Sequence, residues 1–110
     1  MAFTHQVRAD AAGLVVALSG EMDFTVAAQF EVAVQRLISG RHPAVLKIDL
    51  DGLEFLDSTA VSVLVRLWRL ARRENCSLRV INPTGAVQHV VDVTGALAIV
   101  GVGVAPESVQ

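Results

Sequence analysis

The sequence predicts an α/β fold built as a single domain, with a mixed β-sheet whose helices pack mainly on one face. Two periodicities and their order carry this reading. Apolar residues alternate with a period of two along short runs such as "AVLKIDL", Ala44 to Leu50, which is the pattern of a half-buried strand. Between such runs the period lengthens to that of a helix, from Thr25 to Ile38 and again from Ser58 to Arg73. Strands separated by single helices pair in parallel through right-handed crossovers. Strands with one polar side belong to a sheet covered on one side only. At 110 residues the chain suits one domain, 1–110, with a core expected over about 5–104 and a flexible tail over 105–110.

The elements follow in order. His5 to Ala9 alternates weakly and reads as a strand; "DAAG", Asp10 to Gly13, is a turn; "LVVALS", Leu14 to Ser19, pairs back on the first strand. From Thr25, one stripe gathers Val26, Phe30, Ala33, Val34, Leu37 and Ile38, with Asp23 or Thr25 as its cap and Gly40 as its stop. In the Ala44–Leu50 strand, Leu46, Ile48 and Leu50 face one way and Val45, Lys47 and Asp49 the other. Leu78 to Ile81 repeats that habit after the helix that begins near Ser58. "NPTGAVQHVVDVTG" predicts a third helix capped by Thr84 and ended by Gly95, and Ile99 to Val104 a last short strand.

Composition removes several function classes. Hydrophobic residues make up 53% and mean hydropathy is +0.53, so the chain can bury a core and is not a disordered segment. With aromatics at 5% and a net charge of −2, neither base stacking nor an electrostatic grip on nucleic acid is expected. One cysteine, Cys76, excludes a disulfide framework and reads as a small apolar residue near a helix end. The longest apolar run, "ALAIVGVGVA", is too short and Gly-rich for membrane insertion, and a cytoplasmic protein is expected. No Walker loop, dinucleotide fingerprint or metal-spaced His/Cys set is present, so no cofactor or metal is expected. His5, His42 and His89 read as surface or structural residues, and Ser58 lacks a Gly-x-Ser-x-Gly elbow, so the sequence argues against an enzyme.

What stands out is a polar knot, Asp57-Ser58-Thr59, at the head of an apolar helix. Asp and Ser side chains cap helices by accepting from first-turn amides. No reciprocal capping box follows, because Ala60 and Val61 occupy the positions three residues on. The alternative is a phosphate acceptor: a hydroxyl at a helix start is exposed, and phosphate there is favoured by the dipole and the free amides. It adds about −1.5 to −2 charges beside Asp57. Further along, Ser62, Arg66, Arg69 and Arg73 form a polar stripe opposite Ala60, Leu64, Leu67 and Ala71. That stripe is either a solvated face or a surface for acidic residues of a partner.

These residues together resemble the STAS domain family, and within it the bacterial anti-sigma factor antagonists. The resemblance rests on "VVALSGEMD", on "DLDGLEFLDS" at the strand-to-helix corner, and on "NPTGAVQHVVDVTG", arriving in family order over roughly Val7 to Val100. It implies a serine at Ser58 that an anti-sigma factor serine kinase phosphorylates and a metal-dependent serine phosphatase restores. It further implies that the unmodified form binds the anti-sigma factor and releases a sigma factor, so regulating transcription. The partner-binding set so implied is Asp23, Asp57, Ser58, Thr59 and Ser62. Asp23 matches the acidic residue near the phosphoacceptor; Thr59 is the runner-up acceptor; Ser62 lies one turn deeper and is expected to be less accessible. Ala60 stands where the family commonly has glycine, and its methyl group is expected to obstruct a partner. The alternative function is a non-phosphorylated interaction module, a scaffold or transport-accessory subunit.

Overall fold

Asp10 makes the first turn. Its carboxylate accepts from the amides of Ala12 and Gly13, each at 2.9 Å, and its own amide donates to the Gly13 carbonyl at 2.8 Å. Those Gly13 and Ala12 amides, with Lys47 beside them, hold the Asp10 carboxyl below the usual carboxylate range. The turn folds β1 (Thr4–Ala9) antiparallel onto β2 (Leu14–Met22), as the alternation predicts. A computed structural model, which describes residues 2–83, 85, 87 and 88, continues with α1 (Phe24–Arg41), β3 (Val45–Leu56), α2 (Ser58–Arg73) and β4 (Ser77–Ile81). The strands lie in the order β1-β2-β3-β4, with β2, β3 and β4 parallel, so the sheet is mixed.

Two boundaries differ from expectation. α1 does not stop at Gly40. It runs through that exposed glycine to Arg41 and closes on His42, whose amide donates to Ile38 while its φ is 47°. The stop is Pro43, whose ring excludes right-handed helical conformation from the residue before it. β3 does not end at Leu50 either but continues to Leu56. Its register against β2 slips twice, between Ala17 and Ser19 and between Gly20 and Glu21. Extra residues on β3 reset the alternation, so that Leu53 and Leu56 turn inward while Phe55 turns out. Gly52 sits within the slip, where a Cβ would stand 2.8 Å from the Leu18 carbonyl oxygen; only glycine fits.

Both helices cover the same face. Leu14, Val16 and Leu18 of β2, Leu46, Ile48 and Leu50 of β3, and Leu78 and Val80 of β4 form one apolar cluster with Phe30, Val34 and Ile38 of α1 and Leu64 and Leu67 of α2. The buried line of α1 begins at Ala27, one residue on from the expected Val26, which is half-buried. The opposite face is polar: Thr4 and Ser19 share a hydrogen bond, and Asp49 accepts from Asn82 at 3.1 Å. Cys76 is buried at the end of α2, and burial pushes its thiol pKa up. Gly85, Val87 and Gln88 are helical, as the third-helix pattern predicts. The rest of that helix and the expected Ile99–Val104 strand lie outside the described residues.

Candidate functional site

Asp57 resolves the polar knot. It is the N-cap of α2, extended at φ −99° and ψ 179°, and one of its carboxylate oxygens accepts from the Ala60 amide at 2.9 Å. The other oxygen reaches away from its own helix and accepts from the Phe24 amide, also at 2.9 Å. Phe24 is the first residue of α1. One carboxylate therefore caps the starts of both helices and ties them into one corner. A strand-end bond reinforces the junction, since the Asp57 amide donates to the Met22 carbonyl at 3.3 Å. Both helix N-termini, each positive by its dipole, thus converge on this anionic group.

With Asp57 as cap, Ser58 is left free. It is the first helical residue of α2, it is exposed, and its hydroxyl has no hydrogen-bond partner among the described residues. A first-turn amide has no intrahelical acceptor by construction, so an anion on the Ser58 oxygen would meet unfilled donors. Thr59 is exposed beside it. Ser62 is exposed as well, contrary to the expectation that depth would hide it. What separates the two serines is commitment: the Ser62 hydroxyl donates to the Ser58 carbonyl at 3.1 Å, the usual back-bond of a serine inside a helix.

Asp23 lies on the neighbouring helix start, next to the residue that Asp57 holds. Its carboxylate accepts from both the amide and the hydroxyl of Thr25, so Asp23, and not Thr25, is the cap of α1. The Thr25 hydroxyl first, and then the Thr25 amide, hold the Asp23 carboxyl below its ordinary pKa. It is ionised at neutral pH.

Ala60 does not stand in a visitor's way. Its side chain is fully buried in the core cluster, on the inner side of the helix from which Ser58 is exposed. The extra methyl relative to glycine fills core and favours helix. The expected obstruction is therefore absent for a geometric reason.

Two residues of the corner escaped the sequence reading. Phe24, whose amide Asp57 holds, is 70% exposed at the head of α1, and Phe55, two residues before Asp57 near the end of β3, is 44% exposed. A signal was available in Phe24, an aromatic immediately after a helix cap, where no helical turn precedes it. Phe55 could not be found by alternation, because the register slip that turns it outward is a property of the β2–β3 pair. Two of the histidines are placed elsewhere: His5 packs edge-on against Phe30 at 5.8 Å, and His42 closes α1 at the end opposite Asp23, while His89 lies outside the described residues.

The same fold recurs among solved structures. An anti-sigma factor antagonist from Mycobacterium paratuberculosis superposes with a TM-score of 0.83 at 24% identity, over 97% of this chain and 90% of its own. The Bacillus cell fate determinant SpoIIAA in its phosphorylated form gives 0.69 at 18% identity, over 96% and 95%. The anti-sigma factor antagonist SpoIIAA in its unphosphorylated form gives 0.66 at 19% identity, over 81% and 82%. No match to the chain was found among curated protein sequences. The family model described as STAS domain matches residues 3–108, a span that takes in the four strands, the two helices and the Asp57–Ser58 corner, and the chain belongs to the STAS domain family.

Proposed function

We propose that this protein is an anti-sigma factor antagonist switched by phosphorylation of Ser58. Unmodified, it binds an anti-sigma factor that is also a serine kinase; phosphorylated, it lets that partner go; a metal-dependent serine phosphatase restores it. The observation that carries the reading is the unengaged, exposed Ser58 hydroxyl beside a cap that already does the structural work. Capping does not need Ser58, so the fold tolerates its modification.

The physics of the switch is local. Phosphate at Ser58 adds about −1.5 to −2 charges next to the Asp57 carboxylate and near the ionised Asp23. A kinase site already holds nucleotide phosphates, so a docked phosphoserine faces like charge there. Like-charge contact in an interface costs several kcal/mol, and each ~1.4 kcal/mol is tenfold in affinity. The exposed Phe24 and Phe55 supply the apolar area that a partner covers in the unmodified state, aromatics being the usual anchors of such contacts.

The test is incubation with candidate anti-sigma factor kinases and ATP, then mass spectrometry of the peptide that contains Ser58. The expected product is a single phosphate on Ser58. Ser58→Ala is expected to bind the kinase with or without ATP, and Ser58→Asp to bind poorly. Phosphate on another residue, or equal binding by the two variants, rejects the switch.

A further inference from the structure

The second half of α2 holds a different surface. Arg66, Arg69, Arg72 and Arg73 lie within one short stretch of a chain whose net charge is −2. Two of the four are engaged. Arg66 grips the Glu31 carboxylate with both forks, at 2.8 and 2.9 Å, and the Arg72 guanidinium lies 5.0 Å over the Trp68 ring. Arg69 and Arg73 are exposed and have no hydrogen-bond or ion-pair partner among the described residues. The helix dipole favours cations in a last turn, which accounts for Arg73 but not for Arg69. Arg69 stands between two shallow grooves, one floored by Val61 and Val65 and the other by Leu70.

We propose that this face docks an acidic amphipathic helix of a partner protein. Arg69 and Arg73 are four residues apart, about 6 Å along the axis, so carboxylates one turn apart on an opposing helix meet both guanidiniums. The planar fork of arginine suits bidentate pairing with a carboxylate. The aliphatic groove floors receive the apolar side chains of the same helix, which a nucleic acid does not bring. Nor is the Trp68 face open to a base, since Arg72 covers it. Arg69 lies about 16 Å along α2 from Ser58, and the proposal does not rest on the phosphorylation reading.

Trp68 is the sole tryptophan of the chain and sits next to Arg69, so its emission reports on this face. The probe is a synthetic helix-forming peptide with glutamates spaced four apart and leucines between them, titrated into the full chain with calorimetry in parallel. Saturable binding is expected, weakening with salt. The Arg69→Gln, Arg73→Gln double variant is expected to lose about tenfold in affinity, as removal of two modest ion pairs implies. Arg69→Gln alone, which leaves the last turn intact, gives the same direction should circular dichroism show the double variant to have lost helix. The proposal is overturned by absence of binding, by equal binding to the variants, by binding of the peptide with lysine for every glutamate, or by tighter binding of an oligonucleotide of equal charge.

Discussion

Asp57 and Ser58 divide a task that their composition alone left undivided. Aspartate at an N-cap contributes up to about 2 kcal/mol, and here the second oxygen serves another helix. Asp57→Ala is therefore expected to destabilise the protein by about 2 kcal/mol, the upper end of the N-cap range, read as a lowered midpoint in urea. Ser58→Ala is expected to leave that midpoint within about 0.5 kcal/mol of wild type, as for an exposed residue outside any special feature. Equal losses from both would mean that Ser58 shares the capping and is less free than its geometry implies. Sequence reasoning could name Asp57 as a capping candidate because the chemistry is local. It could not see the bond to Phe24, whose two ends meet only after β2 and β3 have paired as far as Met22 and Leu56.

The regular segments were legible where a single periodicity ran unbroken. Leu46, Ile48 and Leu50 are buried as their alternation predicts, and so are Ala60, Leu64, Leu67 and Ala71. Legibility failed where pairing overrides pattern. The alternation reads as a strand only to Leu50, yet Asp51 and Gly52 are the bulged middle of a longer one. Gly52→Ala is expected to cost about 1–3 kcal/mol, because the new methyl must push the Leu18 carbonyl aside; a urea midpoint equal to wild type would mean the bulge yields without strain. The junction between helices carries a pH dependence. The bidentate Arg66 guanidinium holds the Glu31 carboxyl below its ordinary range. A depressed carboxylate contributes stability above its unfolded pKa and loses it as pH falls through the folded value. The difference in stability between wild type and Glu31→Gln is thus expected to be about 1 kcal/mol or less near neutrality and to shrink to nothing in acid. A difference that holds constant across that range would remove the ion pair as its cause.

Taken together, the sheet and its one-sided helix layer give the protein two unlike surfaces that we propose for partners, an acidic corner with exposed aromatics and a cationic helix end. The corner is the one the switch would act on. Phe24→Ala is expected to weaken binding of the anti-sigma factor by at least about 1–2 kcal/mol, the range of an interface anchor. Its urea midpoint should stay near wild type, since so exposed a side chain adds little to the core. Val32→Ala, equally exposed with Phe55 but in the middle of α1, is the control that should bind normally. Much of this site could be read in advance because acid, hydroxyl and helix start are neighbours along the chain. The aromatic flank could not, because exposure is decided by where the sheet ends and the helices begin.

The shared carboxylate also makes the corner observable from a distance. Whatever draws Asp57 toward or away from the head of α2 must lengthen or shorten its grip on the Phe24 amide, far off in sequence. In an NMR titration, the Phe24 proton should shift in step with that of Ala60 when Ser58 is modified, so a kinase reaction at one helix can be followed through a resonance belonging to the other.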